Sequence, residues 1–152
     1  MVAPILVLAV GNPSRGDDAL GPMLAERIER ARLAGVEVLI DFQLQIEHAL
    51  DLEGRSLVIF VDAGTGTPPP FHWLDVQPVE DYTHTSHSLS PGAVLSTCQR
   101  CVPGPLPQAR LLCVRGDSFE LGASLSGSAT QYLELAWASL YAACVAAMVQ
   151  AA

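Results

Sequence analysis

The sequence predicts an α/β protein, a three-layer α/β/α sandwich around a mainly parallel sheet of about five strands. Three observations carry that prediction. Short, uninterrupted apolar runs, such as 4–10 (PILVLAV) and 56–61 (SLVIFV), have the pattern of strands buried on both faces. Helical stretches separate them, in the β-α-β-α-β alternation that a parallel sheet with helices on both faces requires. Half of the 152 residues are hydrophobic and 16% are charged, which excludes a disordered chain and suffices for one core. A single domain over residues 1–152 is expected, because no repeat, low-complexity segment or linker interrupts the pattern.

The elements follow in order. The first run, a central strand, closes at the turn residues Gly11-Asn12-Pro13. A helix comes next, with Pro22 in its first turn, Leu20, Leu24, Ile28 and Ala31 on one face, and Gly35 as its stop. Glu26 and Arg30 stand four apart on its wet side. Residues 36–40 (VEVLI) form a strand ending at Asp41, and 45–50 a short helix. The strand 56–61 ends at Asp62 and runs into Ala63-Gly64-Thr65-Gly66 and a triple proline. Residues 71–76 (FHWLDV) alternate as an edge strand does. Ser90 or Pro91 opens a helix to about Gln99, 102–107 is a proline-rich loop, 111–115 (LLCVR) is a buried strand, and a helix over about 128–149 closes the fold.

Charge and composition remove several function classes. The 16 acidic residues outnumber eight basic ones, all arginine, for a formal net charge of −8. That balance lacks the basic face of a nucleic-acid binder but suits a more basic protein partner. Neither apolar stretch predicts a membrane span. Residues 1–10 are too few, and the uncharged run 135–149 has 15 residues, rich in alanine, where a span needs roughly 20. Four cysteines are too few for a disulfide scaffold and, with no secretory signal, a reducing cytoplasm is expected. Cys98 and Cys101 have C-x-x-C spacing, but no second pair completes a zinc site. No G-x-S-x-G elbow supports an acyl-serine hydrolase.

In open α/β sheets, ligands bind beyond the carboxyl ends of the strands, near a switch in strand order. This chain places Gly11 to Asp18 after its first strand, Asp41 after its second and Asp62 after its third. The loop 81–90 (DYTHTSHSLS) adds His84 and His87 just before a helix start. Carboxylate oxygens and an imidazole meeting at one rim make a divalent metal site, since both ligand types suit borderline cations. Each residue also has a plain reading. Asp17 or Asp18 caps the next helix or favours its dipole, Asp62 bonds its own turn, and His87 is a solvated loop residue. His48, His72 and His84 fit surface or packing roles. The Gly11 turn lacks both the dinucleotide fingerprint and the P-loop lysine, so nucleotide binding, which thermal stabilisation by nucleotide would reveal, is a minor alternative.

The motifs also carry a resemblance. Gly11-Asn12-Pro13-Ser14-Arg15-Gly16-Asp17-Asp18-Ala19-Leu20-Gly21 resembles the G-N-x-x-x-x-D-(D/E)-x-x-G opening of the [NiFe]-hydrogenase maturation endopeptidases. Val61-Asp62-Ala63 and Ser86-His87-Ser88-Leu89 resemble that family's next two signatures, and Arg115-Gly116-Asp117 with Phe119-Glu120-Leu121-Gly122 its late strand and turn. The matches run in order from residue 5 to about 126. The resemblance implies a cytoplasmic endopeptidase that removes the C-terminal extension of a hydrogenase large-subunit precursor after nickel insertion. The nickel comes with the substrate and serves recognition, so the free enzyme need not hold metal. Carried over residue by residue, the metal-contacting positions are Asp18, Asp62 and His87. The catalytic set expected is Asp18, Asp41, Asp62 and His87, in which a nickel-activated water or one carboxylate, Asp41 or Asp62, acting as general base, serves hydrolysis. A monomer is expected, with the precursor as partner and neither nucleic acid nor membrane. One departure stands out. Asp41-Phe42-Gln43-Leu44 occupies the place of the glycine-rich D-G-G-T of many members, which resembles a subgroup serving soluble, NAD-linked hydrogenases. The alternative from another class is a non-catalytic nickel-sensing chaperone of the same precursor.

Overall fold

The computed structural model describes residues 2–80 and 89–151. Five strands form one sheet: β1 (Ile5–Val10), β2 (Val36–Asp41), β3 (Leu57–Gly64), β4 (Phe71–Asp75) and β5 (Gln108–Arg115). Their order is β2-β1-β3-β5-β4, with β4 antiparallel to β5 and every other pair parallel. The α/β/α sandwich expected from the alternation is the observed fold, and residues 71–75 take the edge position that their alternation predicts.

Helices cover both faces. α1 (Leu20–Ala31) and α4 (Gly127–Ala151) lie on one face, α2 (His48–Asp51) and α3 (Pro91–Cys101) on the other. All six residues of β1 are buried because both of its faces are covered. Val7 and Ala9 join Leu24, Ile28, Leu133 and Leu140 in one core layer. Leu6 and Leu8 join Leu52, Phe60, Val94 and Leu95 in the other. Fully burying one such leucine or phenylalanine is worth roughly 1.5–3 kcal/mol, so the two layers dominate stability.

Local chemistry sets the element ends. Arg32 takes a left-handed conformation (φ 50°) to end α1, and Gly35 (φ 79°) turns the chain into β2. Ser90 caps α3 by accepting the Ala93 N–H through its hydroxyl at 3.1 Å, with Pro91 in the first turn. Several boundaries differ from expectation. A short 3-10 turn (Gly16–Ala19) precedes α1, α2 is a single turn, β3 runs on through Asp62 to Gly64, and β5 starts at Gln108 rather than 111.

α4 begins eight residues before the uncharged run, and its 25 residues reach the length and mean hydropathy of a membrane span. The helix is thus longer than the 15-residue uncharged run from which no span is expected. Its buried positions Ala129, Leu133, Ala136, Leu140 and Cys144 recur at helical spacing and pack on α1 and the sheet, as the alanine content predicts.

Candidate functional site

β1 has β2 on one side and β3 on the other, so the chain leaves its carboxyl end in one direction and returns in the other. That switch point opens a cleft at the carboxyl ends of β1 and β3. The cleft holds about 300 Å³ and is lined by Gly11, Asp18, Asp62 and Ala63 from the strand ends. Phe42, Gln43 and Leu44 wall the side after β2, and Leu89 and Pro91 the start of α3.

Two of the sequence-predicted acids meet here. Asp18 comes from the 3-10 turn after β1, where its Oδ2 accepts the Asn12 N–H at 2.7 Å. Asp62 comes from the end of β3, where its Oδ1 accepts the Ala63 N–H at 2.8 Å. Burial pushes the Asp62 carboxyl up to about 6, the Ala63 N–H opposes this, and the Asp18 charge adds to the rise. A carboxyl raised in this way exchanges its proton near neutral pH, as a general base does.

Glycines make the approach possible. A Cβ on Gly11 would lie 2.0 Å from the Asp18 carbonyl oxygen. One on Gly21 would lie 2.7 Å from the Val10 oxygen and 3.1 Å from that of Val61. The first turn of α1 thus presses directly on the ends of the two strands that carry the site.

Asp41 is placed differently. It sits at the end of β2, and its Oδ2 lies 3.2 Å from His48 Nε2. The other imidazole nitrogen, Nδ1, accepts the Gln45 N–H at 2.8 Å, so the imidazole proton sits on Nε2 and faces the Asp41 carboxylate. His48 is buried, the packing role its sequence position suggests, and it fastens α2 to the end of β2. Asp41 is not among the residues lining the cleft.

His87, with Ser86 and His84, lies outside the described residues. Among the described residues, no three His, Cys, Asp or Glu side chains gather closely enough to hold a metal ion.

Asp17 has a role that sequence reading missed. It is fully buried and does not cap α1. Its Oδ2 accepts the N–H groups of Asp117 (2.8 Å) and Ser118 (3.1 Å) and the Ser126 hydroxyl (2.7 Å), and its Oδ1 accepts the Ser126 N–H (2.8 Å). Burial alone would raise its pKa, but these donors together hold the carboxyl below the ordinary value. The Asp17 N–H also donates to the Ser118 carbonyl at 2.8 Å. The β5–α4 connection is thereby stapled beneath the turn that presents Asp18. A buried carboxylate with four donors leaves no local pattern, because its partners stand about a hundred residues away. Two adjacent aspartates were the one available signal.

No protein-family model and no curated protein matches the chain. Solved structures do. Hydrogenase maturating endopeptidase HybD from E. coli superposes with a TM-score of 0.73 over 97% of this chain and 94% of that one, at 25% identity. An endopeptidase from Escherichia coli superposes with a TM-score of 0.69 over 94% and 91%, at 26% identity. This is the fold of the hydrogenase maturation endopeptidases. The [NiFe] hydrogenase maturation protease HycI from Thermococcus kodakarensis adds a match in fold, with a TM-score of 0.70 over 91% of this chain and 90% of that one, at 20% identity.

In this maturation-endopeptidase fold, the Gly21 contact makes a direct prediction. Gly21→Ala will force α1 away from the Val10 and Val61 carbonyls, lowering stability by about 1–3 kcal/mol, the range for overpacking a tight contact. Chemical denaturation checks this. An unchanged midpoint would show that α1 shifts freely and that its position does not define the cleft.

Proposed function

We propose that this protein is an endopeptidase that removes the C-terminal extension of a [NiFe]-hydrogenase large-subunit precursor after nickel insertion. One observation carries the reading. The two acids matching the opening and second signatures of the maturation endopeptidases share a cleft at the switch point, in a chain whose fold follows HybD over nearly its whole length. The names of the superposing structures, maturation endopeptidases and proteases, support the reaction class.

Nickel is part of the substrate in this reading. Asp18, Asp62 and His87 offer it oxygen and nitrogen ligands and so report that the precursor is loaded. An open set of three leaves positions for substrate groups and water. Hydrolysis then needs a water oxygen to join the scissile carbonyl carbon, while the C–N bond breaks and the amine leaves with a proton. Nickel held by the three residues would polarise the carbonyl or acidify that water. In the arrangement where Asp62 does not bind the nickel, its carboxyl, raised to about 6 in the free protein, takes the proton from water. Asp41, held by the His48 Nε2–H, orients the wall of the cleft after β2. The protein works as a cytoplasmic monomer, and its acidic surface meets a more basic patch on the precursor.

The test is to incubate purified protein with the precursor, with and without nickel, and follow the mass of the large subunit. Loss of the extension from the loaded form alone is expected. Tight binding of the loaded form with no mass loss would replace the protease with a nickel-sensing chaperone. Equal trimming of both forms would remove nickel from recognition.

A further inference from the structure

β2 ends the sheet, so one side of its backbone pairs with β1, and among the described residues no strand pairs with the other. The register identifies the outward groups. The Ile5 N–H donates to the Gly35 carbonyl and the Gly11 N–H to the Asp41 carbonyl, both at 3.1 Å. Positions 35, 37, 39 and 41 therefore turn their backbone groups toward β1. In a parallel ladder the alternate residues, Val38 and Ile40, direct both N–H and C=O away from the sheet.

Exposed edges usually carry a guard such as a lysine, a proline, a bulge or a free charge. β2 contains neither lysine nor proline. Its two charges are both engaged. Glu37 Oε1 accepts from Arg55 Nη1 at 2.7 Å, and Asp41 faces His48. Arg55 is itself buried and also donates to the Ala3 and Asp51 carbonyls, so the Glu37 carboxylate is drawn to a fixed partner.

The edge also leads somewhere. Ile40 near its carboxyl end is 39% exposed, and Phe42, the next residue but one, is 69% exposed and lines the cleft. Ile46 on the following connection and Leu50 in α2 are open as well. An extended chain added beside β2 would satisfy the outward backbone groups, cover Ile40 and arrive at the cleft that holds Asp18 and Asp62. At about 3.3 Å per residue, the six residues of β2 present roughly 20 Å of edge.

We propose that β2 is the docking edge for the polypeptide substrate, which adds an extended, partly apolar segment as a further strand beside Val38 and Ile40 and packs on Ile40 and Phe42. The inference rests on the protease reading above and names how that site receives its chain. Backbone pairing supplies affinity, and the apolar side chains select the segment. Phe42, in place of a small residue, then gives this chain a substrate preference different from that of relatives with glycine there.

Amide exchange with and without the nickel-loaded precursor tests the edge. The Val38 and Ile40 amides exchange quickly in the free protein and at least tenfold more slowly with the precursor bound. In parallel, Ile40→Pro removes one outward donor at an edge position where proline is tolerated, and raises KM roughly 5- to 10-fold with a much smaller change in kcat. Ile40→Thr, which keeps the donor, raises KM less. Should the proline variant unfold, the exchange measurement on the wild-type protein still decides. Cleavage by the wild-type protein with no slowing at Val38 and Ile40 overturns the docking edge and leaves the protease reading intact. Slowed exchange without cleavage keeps the edge and removes the catalytic reading. Protection of both amides in a dimer lacking precursor overturns the proposal in favour of a seam between copies.

Discussion

Asp62→Asn will lower cleavage at least about a hundredfold and make the protein more stable above pH 6. The folded carboxyl titrates at about 6 against an ordinary 3.8, with burial as the main cause. Between those values the folded state keeps a proton that the unfolded state has lost. Stability therefore falls as pH rises from about 4 to 6 and stays lowered above that. The full shift corresponds to about 3 kcal/mol, and solvent reaching the cleft reduces this, so a gain of about 1–2 kcal/mol is expected in the amide variant. Asparagine keeps the Oδ1 that accepts the Ala63 N–H and carries no charge to oppose Asp18. Thermal unfolding at about pH 3.5, below the unfolded pKa, will give similar midpoints for both proteins, and at pH 8 the variant will melt about 2–8 °C higher. Cleavage of loaded precursor will fall by 10²-fold or more, the usual contribution of a positioned base. A variant less stable than wild type at pH 8 would mean that the fold stabilises the charged form of Asp62. Unchanged cleavage would take Asp62 out of the reaction. Stability gained where activity is lost is the expected mark of a site whose charge the fold holds at a cost.

Asp17→Ala will act in the opposite direction and through stability. Removing the carboxylate leaves the part-buried Asp117, Ser118 and Ser126 N–H groups and the Ser126 hydroxyl without their acceptor. Losing hydrogen bonds to a buried charge and stranding several donors costs about 3–5 kcal/mol, which lowers the melting temperature by roughly 10 °C or more. The sign with pH also differs from Asp62. Because the folded carboxyl lies below its ordinary value, its contribution is present above the unfolded pKa near 3.8 and is lost as pH falls through the folded value. Acid unfolding of wild type should therefore steepen below pH 4, and the Asp17→Ala variant should lack that step. If the variant melts within 2 °C of wild type at pH 7, the β5–α4 connection is held by other contacts and Asp17 is not its staple.

The sequence alone determined the elements and the identity of most candidate acids. Burial on two faces demands uninterrupted apolar runs, and burial on one helix face demands 3.6-residue spacing. The strands 4–10 and 56–61 and the helix face at Leu24 were therefore written locally. Carboxylates at strand ends were legible for the same reason, since turn residues mark where each strand stops. Tertiary structure alone decided who meets whom. The order β2-β1-β3-β5-β4 brings Asp18 and Asp62 to one cleft and leaves β2 at the rim, with Asp41 drawn to His48 and Asp17 turned inward to the β5–α4 connection. Those outcomes come from closing contacts between residues far apart in the chain, where partners are chosen by distance and packing and leave no periodic trace in the residues between them.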